Sequence, residues 1–137
     1  GVWACGYGGS YTNVMDYITI ATPGNAADFG DSTISDAEGR AGVSNATRGV
    51  YGGGGPNVID YITIASTGNA TDFGNLLASR GFMANGNINS TTRGCFAGGH
   101  PSQVNIIQYI TIASTGNAID FGDLTLGRYT PAGCAGD

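Results

Sequence analysis

Residues 60–74 read DYITIASTGNATDFG, and the chain spells nearly the same string at 16–30, DYITIATPGNAADFG, and at 108–122, QYITIASTGNAIDFG. Tyr17, Tyr61 and Tyr109 mark the three copies, with Asn25, Asn69 and Asn117 and then Phe29, Phe73 and Phe121 at constant offsets behind them. A second phrase runs between the copies: ATRGVYGGG at 46–54 answers TTRGCFAGG at 91–99, and GVWACGYGG opens the chain in the same phase. A period of about 45 residues marks a repeat architecture and has to be read before any single motif. The repeats are 1–48, 49–93 and 94–137, together one array with nothing left over for another domain.

The phrase itself predicts a hairpin. In NVIDYITIAS, Val58, Asp60, Ile62 and Ile64 alternate with Ile59, Tyr61, Thr63 and Ala65, and the β-branched and aromatic content suits a pleated strand. Apolar groups on both faces predict a strand covered on both sides. STGN then supplies a turn, with Gly68 free to take positive φ and Asn69 able to bond nearby backbone, and ATDFGNLL returns as the partner strand. GVYGGGG adds a short strand, and SRGFMANGNINSTTR adds a weak one inside a loop, giving four short strands per repeat and no amphipathic helix.

Composition narrows the function. The chain has 137 residues with 25 glycines, only 11% charged residues, five arginines and no lysine, and a net charge of -5. Such a chain is expected neither to bind nucleic acid nor to be drawn to anionic membranes, and no apolar run is long enough for membrane insertion. The start shows neither an initiator Met nor a basic leader, the pattern expected of a processed product or a piece of something longer. Cys5, Cys95 and Cys134 form an odd set without a CxxC pair, and Cys5 and Cys95, beside the apolar run before a glycine pair, are read as small buried hydrophobes. A bond between Cys5 and Cys134 is the alternative if the ends of the array meet.

Four antiparallel strands repeated at this period are the signature of a propeller blade. The order of the segments resembles a kelch repeat. Gly8-Gly9, Gly54-Gly55 and Gly98-Gly99 stand in its double-glycine place and Tyr17, Tyr61 and Tyr109 in its tyrosine place, while Phe29, Phe73 and Phe121 replace its tryptophan. Over nearly its whole length the chain also resembles the repeated YITIASTGNATDFGDLT and STRGVFGGG phrases of virion structural proteins of marine cyanophages and related tailed phages. The resemblance implies a kelch-like β-propeller or other repetitive β-structure, shown on the virion surface or otherwise extracellular, among other virion proteins.

Three blades are too few to close a propeller, and an open stack leaves apolar faces and strand edges in water. Self-association is therefore expected, as a 3+3 ring from two chains, as a filament, or through further repeats. Comparing RYTPAGCAGD with AGVSNATRG places the break in a loop, so the array reads as three complete units in permuted phase.

Candidate sites are few. Asp28, Asp72 and Asp120 recur in the turn-rich phrase, and Asn69, Asp72 and Asn75 could offer oxygens to calcium, although a repeated Asx more commonly caps its own backbone. Otherwise no cofactor or metal is expected. Arg48 and Arg93 are expected to pair with Asp28, Asp72 or Asp120 between blades. His100 is the sole histidine and no GxSxG elbow occurs, so no catalytic site is expected. The copper centre of galactose oxidase, an enzyme of the kelch-type fold, needs more histidines than the chain holds. The non-repeating segments around Tyr11, Asn13, Asn57, His100, Gln103 and Asn105 are candidate binding loops. The sequence thus predicts a structural or display module of a phage appendage. A glycan-binding adhesin of the host surface is the alternative, and a non-viral extracellular filament subunit the more distant one.

Overall fold

The structure, a computed structural model, describes residues 1–35, 37, 39–83 and 88–136. Among these the protein is all-β: there is no helix, and ten strands form three antiparallel sheets. The first sheet contains β1 (Val2–Tyr7), β2 (Tyr11–Tyr17) and β3 (Ala27–Asp31). The second contains β4 (Ala41–Ser44), β5 (Arg48–Gly52), β6 (Val58–Thr63) and β7 (Thr71–Asn75). The third contains β8 (Arg93–Ala97), β9 (Ile106–Thr111) and β10 (Ile119–Asp123).

The quoted phrase is a hairpin in every copy. β6 turns back through a bond from Ser66 N–H to the Thr63 carbonyl and pairs with β7, and the equivalent turns are closed by Thr22 to Thr19 and Ser114 to Thr111. Opposite the Ile59–Asp60 step the register slips at Gly74, and the same slip occurs at Gly30 and Gly122. These three glycines share φ of 139°, 146° and 138° in chain order, a conformation that side chains rarely adopt.

The expectation of three four-stranded units needs correction. Only the middle sheet has four named strands among the described residues, and its outermost strand, β4, comes from the preceding repeat. The hairpin through Asn45–Thr47 is short enough to lay β4 beside β5, so the strand predicted inside one repeat completes the sheet of the next. In the third sheet the corresponding segment reaches β8 through the Asn89–Gly94 bridge and a bond from Cys95 N–H to the Ile88 carbonyl. Residues 84–87 of the predicted weak strand lie outside the described residues. Among the described residues β1 has no strand on its outer edge, and the three sheets do not close into a propeller.

The core lies between sheets. Met15, Phe29 and Ile62 are buried where the first sheet meets the second. Val43, Val50, Ile59, Phe73, Phe96, Ile110 and Ile112 belong to the larger cluster formed where the second meets the third. The second sheet buries one face against the first and the other against the third, which is why both faces of β6 are apolar.

Candidate functional site

The best-built feature of the molecule is the junction between consecutive repeats, and it occurs twice with the same atoms. At the first junction Gly68 N–H donates to the Phe29 carbonyl at 2.7 Å and Ala70 N–H to the Asp31 carbonyl at 2.8 Å. Asn69 Oδ1 accepts from the Asp31 amide at 3.0 Å. At the second, Gly116 N–H reaches the Phe73 carbonyl and Ala118 N–H the Asn75 carbonyl, both at 2.8 Å, while Asn117 Oδ1 accepts from the Asn75 amide at 3.0 Å. The TGNA loop of each later repeat is a plug on the edge strand of the repeat before it. A Cβ on Gly30 or Gly74 would strike the carbonyl of Gly68 or Gly116, so the socket requires glycine for close approach as well as for φ.

A second contact crosses the same junctions at the centre of the sheet. Asp60, wholly buried in β6, accepts from Ser32 Oγ at 2.7 Å, from Thr33 N at 3.0 Å and from Thr33 Oγ1 at 2.8 Å, all in the tail of the first repeat. Arg40 supplies the opposite charge: Nη2 lies 2.9 Å from Asp60 Oδ1, and Nη1 donates to Oδ2 at 3.1 Å. In the third repeat Gln108 occupies this place, and its Oε1 accepts from the Leu77 amide at 2.8 Å without a charged partner. Beside the ion pair, burial and then the Asp60 carboxylate push the Tyr51 phenol up to about 12, and its hydroxyl donates to the Val2 carbonyl at 3.3 Å. Sequence reading passed over Arg40 and Asp60. The available signal was an acid between Ile59 and Tyr61 in a strand covered on both faces, where a charge needs a partner.

A cavity of about 330 Å³ opens between the first two sheets, with Ile20, Gly49, Tyr51, Ile62 and Ile64 in its wall. At the other junction Val43 of β4 packs over Gly94, and Arg48 Nη1 donates to the Ile112 carbonyl at 3.1 Å. The cavity is therefore the seat an outer strand would fill, since among the described residues none pairs with the outer edge of β1.

The repeated aromatics pack in pairs within each hairpin: Tyr17 with Phe29, Tyr61 with Phe73 and Tyr109 with Phe121, edge to face at 5.8, 6.0 and 6.0 Å between centroids. The expected ion pairs of Arg48 and Arg93 with Asp28, Asp72 and Asp120 are not formed. The guanidiniums lie over the Tyr61 and Tyr109 rings at 4.4 and 4.5 Å instead, because each arginine faces the tyrosine strand of its own sheet, while the acids stand exposed at the far edge. For calcium, Asn69 and Asp72 sit on the junction loop and β7, and the oxygen of Asn69 is engaged by the Asp31 amide. Gly54 and Gly55 both donate to the Arg80 carbonyl and Gly99 to that of Arg128, whereas Gly8 and Gly9 form an exposed turn. No Cys5–Cys134 bond is present: Cys5 Sγ lies against the Ile34 carbonyl at 3.6 Å, and Cys134 is exposed. Burial raises the Cys95 thiol above its ordinary range, against the pull of Arg93.

Of the candidate binding loops, Asn13, Asn57 and Asn105 each use the backbone carbonyl to hold Ser32, Leu76 or Leu124 N–H, a scaffold role. Gln103 is exposed. His100 sits between Phe82 and Tyr129, and with Tyr11, Phe82 and Pro101 it lines a groove of about 320 Å³. No protein-family model matches the chain. No curated protein matches it in sequence either.

Proposed function

We propose that the chain is a structural and display module of a phage virion appendage, a fibre, tail or capsid decoration, assembled through its β-repeats. The observation that carries the reading is that the repeated phrase is spent on contacts between repeats: the plug, the socket and the central polar contact recur at both junctions. A catalytic constellation has no reason to recur in every repeat, whereas a joint does. The sheets are read as kelch-like blades, closed into a ring or extended into a filament by further repeats, with other virion proteins as neighbours. The resemblance to cyanophage virion proteins supplies the location. Mass spectrometry of purified particles from a tailed phage encoding the chain is the test. Recovery in structural amounts is expected, and absence from particles overturns the reading.

A second reading rests on the groove at His100. Tyr11, Gly54 and His100 come from three different repeats and converge on it, giving aromatic rings and polar groups of the kind that stack on sugars. A glycan array with His100→Ala as control tests this adhesin reading, and a wild-type chain that retains no glycan sinks it.

A further inference from the structure

The two ends of the array carry the two unused halves of the junction. β10 is the third socket, and among the described residues no loop covers the Phe121 carbonyl or the Asp123 amide and carbonyl in the way that Gly68–Ala70 and Gly116–Ala118 cover β3 and β7. Phe121 is 56% exposed where Phe29 and Phe73 are 4% and 2%. A Cβ on Gly122 would meet nothing within 4 Å, although the same atom on Gly30 or Gly74 would strike the incoming loop. At the other end Gly24–Asn25–Ala26 is the third plug, and its Ala26 is exposed where the counterpart Ala70 is half-buried and Ala118 buried. Trp3 and Ile20, 58% and 80% exposed, stand where the third sheet has the buried Phe96 and Ile112. The central polar contact is divided in the same way. Asp16, exposed, matches Asp60, and Thr125, exposed on the opposite end, matches the Thr33 whose amide and hydroxyl Asp60 accepts.

From these matched halves we propose that the occupant of each end is a second copy of this chain, joined head to tail: Gly24–Ala26 of one copy plugs the β10 edge of the next, and Asp16 accepts from Thr125. The argument is one of repetition, because the chain already builds the plug and socket twice with the same backbone groups and the same asparagine, and places a polar contact at the same position beside each. The contact is heterologous, so it propagates into a ring if the rotation closes and into a filament if it does not. It deepens the assembly reading above and rests on it for the claim that repeats are the means of assembly.

Two variants separate the halves. Ala26→Arg blocks the plug at an exposed residue, and Phe121→Glu blocks the socket at an exposed ring; circular dichroism and thermal unfolding check that both remain folded. Light scattering and sedimentation of the 137-residue chain over a wide concentration range give the masses. The wild type is expected to associate, each variant alone to remain monomeric, and an equimolar mixture to stop at a dimer, since only one competent plug and one competent socket remain per pair. Asn25→Ala, the milder change, is expected to weaken association about tenfold, the loss of one hydrogen bond. A wild type monomeric at the highest concentration, or an assembly that ignores all three substitutions, overturns the head-to-tail junction. Neither outcome touches the virion reading, which particle mass spectrometry decides separately.

Discussion

Arg40 and Asp60 form a buried ion pair that clamps the tail of the first repeat onto the central strand of the second, with Nη2 and Oδ1 2.9 Å apart. Removing one partner strands the other charge away from water. Asp60→Ala is expected to cost about 3–5 kcal/mol in urea unfolding. Gln108 performs the same task without charge, so the double change Arg40→Leu with Asp60→Gln is expected to recover most of that loss. A double variant as unstable as Asp60→Ala would show that the charge itself is required.

The bulge glycines provide an internal comparison. Gly30, Gly74 and Gly122 share nearly the same φ, so alanine brings similar backbone strain at all three, but only the first two face a loop. Gly30→Ala and Gly74→Ala are expected to destabilise by about 1–3 kcal/mol more than Gly122→Ala, the cost of overpacking. Equal melting temperatures for the three, measured on dilute protein, would contradict the plug-and-socket geometry.

Phe73 and Phe121 make the same edge-to-face contact with a tyrosine but differ in cover. Phe73→Ala empties a site between sheets and is expected to cost about 3–5 kcal/mol. Phe121→Ala, in dilute solution, is expected to cost below about 1 kcal/mol. Denaturant midpoints at constant m-value measure the difference.

Asn69→Ala removes the acceptor for the Asp31 amide. The expected cost is about 1 kcal/mol, and the direct readout is hydrogen exchange. Exchange at Asp31 should accelerate in the variant, toward the rate of the uncovered Asp123 amide in the parent chain.

Tyr51 couples stability to alkaline pH. Its folded-state value, about 12, lies above the ordinary value of 10, so the unfolded chain releases the phenol proton first. The stabilisation is fully present below pH 10 and is lost as pH rises from there through 12. Tyr51→Phe is expected to flatten the fall in stability over that window, and absorbance near 295 nm follows the phenolate directly.

Much of the hairpin was legible, for local reasons. Alternation of Ile and Tyr, a turn carrying glycine and asparagine, and a phenylalanine in the return strand act between near neighbours and leave their mark in order. The destination of the TGNA loop was not legible, because its partners are the peptide groups of Phe29 and Asp31, and peptide groups have no residue signature. The place of β4 was hidden for a related reason: its four residues sit in one repeat and pair in the next, which a reading by repeat boundaries divides wrongly. Arg48 and Arg93 were assigned to acids on charge alone, but the tyrosine ring beside each was nearer.

A joint made of main-chain atoms carries no key. At the plug Asn69 and Asn117 address amides that every repeat presents, so this part of the fit does not depend on which repeat precedes which, whereas the Arg40–Asp60 clamp belongs to one junction alone. A further unit added to such an array meets a ready-made main-chain socket and needs new side chains only at the central contact. The non-repeating segments, which take no part in the plug and socket, are then the part on which selection can act independently.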